Sequence, residues 1–224
     1  KQSISTIAHE GVHQILHNIG VQQRLSQWPL WFSEGLAEYF APTELGRRVR
    51  WKGVGLVNDL RLYELSEFYK RNDGRLTDGT LLRQTVQTKS LNSLGYATSW
   101  ALVNYLAKFE GKEFTEYFQA VSRLGPLESV RPGQYYAEYF GTDFRGMEDR
   151  LVKHLQSLPY VDPIANQTHY VLMLKGGRRE ILITSSPAKI KEQQQKRGPN
   201  RIAQIRAFPN RAAAETFARR WMQQ

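Results

Sequence analysis

The sequence predicts a mainly α domain over residues 1–164, followed by a small basic α+β module over residues 165–224 in the order β-β-α-β-α. Three observations predict it. Apolar residues recur at three- and four-residue steps through the first part, the period of a helix with one buried face. In the tail the pattern changes to short β-rich runs broken by Gly and Asn. Charge divides at the same place. Of a net +10 over 224 residues, +9 resides in residues 165–224, where 12 Lys and Arg face three Glu, and +1 in the remainder. The stretch "SLPYVDPIANQTHY" (157–170), with Pro159 and Pro163, reads as the linker between them.

The elements follow in order. "ISTIAHEGVHQILHNIG" (4–20) reads as a helix, with Ile4, Ile7, Ile15 and Ile19 as apolar positions and Gly20 as a stop. Gly11 costs such a helix about 1 kcal/mol relative to alanine, tolerable if the helix is buried or a neighbouring backbone comes close. In "QWPLWFSEGLAEYF" (27–40), Pro29 ends what precedes it. Ser33 is the expected N-cap, Glu34 falls in the first turn, and Leu36, Ala37 and Phe40 form an apolar stripe. Further helices are expected in "LVNDLRLYELSEFYKRN" (56–72), "LGYATSWALVNYLAKFEGKEF" (94–114, ended by Gly111), "EFTEYFQAVSRLG" (113–125) and "YYAEYFGTDFRGMEDRLVKHLQSL" (135–158, interrupted at Gly141). In the tail, "HYVLMLK" (169–175) and "REILITS" (179–185) are strands joined by a "GGR" hairpin. "PAKIKEQQQKRG" is a helix, "NRIAQIRAF" a third strand, and "NRAAAETFARRWMQQ" a helix starting at Asn210.

The chemistry is concentrated in "HEGVH" (9–13), an HExxH pattern. Residues i and i+4 share one helix face, so His9 and His13 can grip one metal ion. Glu10 lies one residue round from His9, where it flanks that ion without binding it. Two imidazoles holding zinc, with a carboxylate to take the proton of an activated water, is the arrangement of a zinc hydrolase. An ordinary polar helix face carries the same letters, so the reading depends on a third ligand. His17 is not that ligand: along one helix it lies about 12 Å from His9. It reads as a helix-face histidine hydrogen-bonded nearby.

HExxH followed by W-x-x-E-G-x-A-x-Y resembles the gluzincin metallopeptidases, above all relatives of the aminopeptidase N family. The pieces here are His9, Glu10, His13, Trp31, Glu34, Gly35, Ala37 and Tyr39. The resemblance implies a zincin-like catalytic subdomain with one zinc ion on His9, His13 and Glu34, and Glu10 as general base. It also implies that Glu38 bonds a zinc-bound histidine, a position otherwise read as a solvated helix glutamate. Tyr96 resembles the tyrosine that opens the corresponding helix of those relatives and hydrogen-bonds the oxyanion of the tetrahedral intermediate, although Ser99 stands where they have Gly. A metzincin is disfavoured, because Leu16 and Ile19 stand where it needs Gly and His. A gluzincin cleft also has an upstream β-sheet, so the chain is expected to be the C-terminal portion of a longer protein.

The expected activity is zinc-dependent hydrolysis of a peptide or protein substrate. The alternative is a non-catalytic binding module, in which the basic tail holds an anionic partner and the zinc domain is a scaffold. Phe208, Phe217 and Trp221 in that tail suit a core as well as they suit nucleic-acid stacking. "ILITSSPAKIKEQQQKRG" (181–198) faintly resembles the GIY-YIG nucleases but lacks their catalytic letters, with Ala218 about where they place a glutamate, so a nuclease is not expected. No apolar run approaches the roughly 20 residues that span a bilayer, and no signal peptide is evident. The absence of cysteine excludes disulfides and thiolate zinc sites without fixing the compartment, an extracytoplasmic or cell-envelope place being favoured.

Overall fold

A computed structural model describes residues 2–45, 49–72, 77–163, 167–174, 180–197 and 202–223. The chain forms two compact units, Lys1–Val161 and Asp162–Gln224. The first is mainly helical: α1 (Gln2–Asn18), α2 (Leu30–Phe40), a short hairpin of β1 (Thr43–Leu45) and β2 (Val49–Trp51), then α3 (Asp59–Arg71), α4 (Thr80–Gln87), α5 (Ser93–Phe109), α6 (Gly111–Ser122), α7 (Pro132–Phe140) and α8 (Phe144–Ser157). The second unit contains β3 (His169–Leu174), β4 (Glu180–Thr184), α9 (Pro187–Arg197), β5 (Ile202–Phe208) and α10 (Arg211–Gln223).

The centre of the first unit is α5. A helix that is apolar or small on every side has nowhere to face water, and in α5 everything from Ala97 to Leu106 is buried. Asn92 caps it, its Oδ1 accepting the Gly95 N–H at 2.8 Å. α2, α3, α4, α6 and α8 pack around it. Gly111 does not end this helix. Glu110 closes α5, and α6 begins at once on Gly111.

α2 starts a turn earlier than its sequence suggests. The N–H groups of Phe32 and Ser33 donate to the Pro29 carbonyl at 3.0 and 3.1 Å, so Pro29 occupies the cap position and Ser33 lies buried inside the helix. The extra turn carries Trp31 and Phe32, both fully buried, into an aromatic core with Tyr117; the Phe32 and Tyr117 rings meet edge to face at 4.9 Å. Packing thus outweighs the cap preference of Ser33, and Glu34 moves out of the first turn. α4 and the β1–β2 hairpin are further elements without a sequence expectation behind them. Gly141, at φ +80°, separates α7 from α8.

In the second unit β3 is the central strand of a three-stranded antiparallel sheet ordered β4-β3-β5. Its register pairs Tyr170 with Thr184 and His169 with Phe208. Val171 and Met173 of β3 and Ala214 and Ala218 of α10 form its apolar core, with Phe208, Phe217 and Trp221 packed against it. Asn210 caps α10, accepting the Ala213 N–H at 2.8 Å. The "GGR" turn lies outside the described residues.

Candidate metal centre

α1 packs on α2 with its histidine edge inward. His9, His13 and His17 are half-buried and Leu16 is buried, whereas Ile7, Ile15 and Ile19 are 69, 58 and 65% exposed. Ile7, Ile15 and Ile19, expected to supply the apolar face, therefore point away, and the Ile4 side chain lies outside the described residues. His9 and His13 of the inner face have partners on α2, which hydrophobic periodicity cannot foresee. The helix ends where expected, with Gly20 at φ +75°.

Three donor atoms converge between the helices. His9 Nε2 lies 2.9 Å from Glu34 Oε2 and 3.3 Å from His13 Nε2, and His13 Nε2 lies 3.5 Å from Glu34 Oε2. Ligands about 2.1 Å from a zinc ion at the corners of a tetrahedron stand about 3.4 Å apart. The edges of this triangle bracket that value, and among the described residues these three form the one such group of His and carboxylate side chains. The donor set, two imidazoles and one carboxylate, suits zinc, and three protein atoms leave a fourth corner free.

Gly35 allows the approach. α2 lies so close to α5 that a Cβ on Gly35 would meet the Ser99 carbonyl oxygen at 2.6 Å and Val103 Cγ2 at 2.7 Å. Ser99 is itself fully buried. The glycine that this crossing needs is on α2, beside Glu34.

Behind the triangle lies a second layer of hydrogen bonds. Glu38, one turn beyond Glu34, places Oε1 3.2 Å from His9 Nδ1, the ring nitrogen not aimed at the triangle. The same Oε1 accepts from Arg61 Nη2 at 2.6 Å, and Oε2 accepts from Asn58 Nδ2 at 2.7 Å. Arg61 Nη1 also donates to Glu64 Oε2 at 2.9 Å, and Ser93 Oγ donates to the other Glu64 oxygen. Asn58, Arg61, Glu64 and Ser93 were not singled out in the sequence. A signal was there: Asn58, Arg61 and Glu64 sit at three-residue steps at the start of α3, which puts them on one face.

Burial alone would push His9 down, but the hydrogen bonds and charges of Glu34 and Glu38 outweigh it and hold it up at about 9. Burial would raise Glu34, and the bonds from His13 and His9 reverse this and lower it to about 2. Glu38 is lowered in the same way by His9 and Arg61 against the effect of burial. Tyr96 is raised, first by burial and then by the charge of Glu34, so its phenol keeps its proton.

A cavity of about 380 Å³ opens beside the triangle, with Ser5, His9, Glu10, Glu38, Arg61 and Tyr96 among its walls. Glu10 is exposed toward it. The Tyr96 ring lies 6.1 Å from the His9 ring. His17 is apart from the triangle, its Nδ1–H donating to the Gln22 carbonyl at 3.0 Å. The structure thus brings His9, Glu10, His13, Glu34, Glu38 and Tyr96 to one place.

Residues 3–128, more than half of the chain and all of this site, match a family model described as "Protein of unknown function (DUF1570)". Neither curated proteins nor solved structures give a match.

Proposed function

The chain belongs to the DUF1570 family of proteins of unknown function, and we propose that it hydrolyses peptide bonds with one zinc ion held by His9, His13 and Glu34. The observation that carries this reading is the triangle of donor atoms with edges of 2.9, 3.3 and 3.5 Å, whose His9 also lines a cavity walled by Glu10 and Tyr96. The helical first unit is read as a zincin-like subdomain on the same grounds. A small cavity with few convergent polar groups is the usual form of an active site.

When bound, zinc supplies Lewis acidity toward water and toward a carbonyl oxygen. Glu10 takes the proton of the attacking water and returns it to the leaving amine. The Tyr96 phenol, protonated at neutral pH, donates a hydrogen bond to the oxygen on which charge develops. Glu38, 3.2 Å from His9 Nδ1, would accept its N–H and so leave Nε2 its lone pair for a metal ion.

The experiment is Glu10→Gln. An amide cannot accept the proton at neutral pH, so the variant should keep its zinc and lose about 10²–10⁴-fold or more in peptide hydrolysis. Hydrolysis by the zinc-loaded variant at the parental rate would overturn the reading.

A further inference from the structure

We propose that Arg61 is a positioning residue of this site, one side chain that orients both the carboxylate behind His9 and the Tyr96 phenol. The proposal rests on the zinc-peptidase reading above. Arg61 lies on the first turns of α3, 16% exposed, and its guanidinium has two distinct surfaces in use.

Its edge is a fork. Nη2 donates to Glu38 at 2.6 Å and Nη1 to Glu64 at 2.9 Å. Each acceptor is fixed from a second side: Glu38 by Asn58 at 2.7 Å, and Glu64 by the Ser93 hydroxyl on the first residue of α5. Asn58 caps α3 with its other amide atom, its Oδ1 accepting the Arg61 N–H at 3.3 Å. The Glu38 carboxylate is therefore clamped between two donors of α3 before it meets His9, which sets the plane of the oxygen that receives the His9 Nδ1–H. Partners of this kind hold a metal-binding imidazole in one tautomer and orientation.

Its second contact is aromatic. The guanidinium carbon lies over the Tyr96 ring, 5.3 Å from its centre, within cation–π range. The same planar group thereby ties α2, α3 and α5 together around the cavity. Lysine cannot replace it, because an ammonium makes no fixed fork and does not lie flat on a ring.

The test uses Arg61→Lys and Arg61→Met, with zinc affinity measured by competition against a chelator and peptide hydrolysis measured at saturating zinc. Both variants should lose about 10–100-fold in zinc affinity through Glu38, and about tenfold or more in kcat at unchanged KM through Tyr96. In a Tyr96→Phe background, Arg61→Lys should cost no more than about twofold further in kcat, because coupled residues are not additive. If Arg61→Met does not fold, Arg61→Lys alone carries the comparison. Zinc affinity or kcat within about twofold of the parent, or a full additive loss in the Tyr96→Phe background, overturns the proposal. A merely structural arginine would lower the melting temperature and leave both quantities in place. A parent protein that neither binds zinc nor hydrolyses peptides would instead defeat the underlying reading.

Discussion

The Cβ that Gly35 lacks would stand 2.6 Å from the carbonyl oxygen of Ser99, a distance no packed side chain tolerates. The obstruction is backbone of the central helix, with Val103 closing the other side at 2.7 Å. Gly35→Ala must therefore push α2 off α5, and Glu34 moves with it. Overpacking of this kind costs about 1–3 kcal/mol. Urea denaturation should show that loss, and zinc titration a weaker site; a variant as stable and as tight as the parent would refute the close-approach argument.

Gly11 is the opposite case. Nothing lies within 4 Å of where its Cβ would be, so no neighbouring backbone demands a glycine there. Gly11→Ala should stabilise α1 by up to about 1 kcal/mol, the difference in helix propensity. Thermal melts with unchanged zinc content are the check, and a destabilised variant would reveal a constraint that this structure does not contain.

Zinc binding at this site is expected to release protons. Against the effect of burial, Glu34 and Glu38 hold the His9 imidazole up at about 9, and His13 and His9 hold the Glu34 carboxyl down at about 2. The raised histidine contributes stability fully present below 6.5 and lost as pH rises through about 9. The lowered carboxylate contributes stability present above 4.5 and lost as pH falls toward about 2. The two share the His9–Glu34 contact, so the two contributions do not simply add. Zinc needs the neutral ring, so binding at pH 7 should release roughly one proton or more per ion. Calorimetric titration in two buffers of different ionisation enthalpy measures this; no net release would contradict the His9–Glu34 pairing.

What was legible in the sequence was mostly local. The order of helices followed by β-β-α-β-α could be read from periodicity, and the alignment of His9 with His13 from the pitch of a helix. The inward face of α1 could not, because Ile7, Ile15 and Ile19 mark the side left exposed, while the histidines turn toward carboxylates on another helix. The start of α2 was missed for a related reason: burial of Trp31 and Phe32 decides it, not the cap preference of Ser33. The sequence places Arg61 on one face with Asn58 and Glu64 but not its role, because its partners Glu38, Ser93 (through Glu64) and Tyr96 come from α2 and α5, and only the folded chain assembles them. No helix among the described residues is long and apolar enough to cross a membrane.

Metal analysis of zinc-equilibrated, desalted protein asks whether His9, His13 and Glu34 hold one zinc ion while Glu10 does not. About one zinc per chain is expected in the parent and in Glu10→Gln, and well under half that in His9→Ala and Glu34→Ala, where only two ligands remain. A parent protein with almost no zinc, or zinc lost from Glu10→Gln and kept by Glu34→Ala, would contradict that assignment.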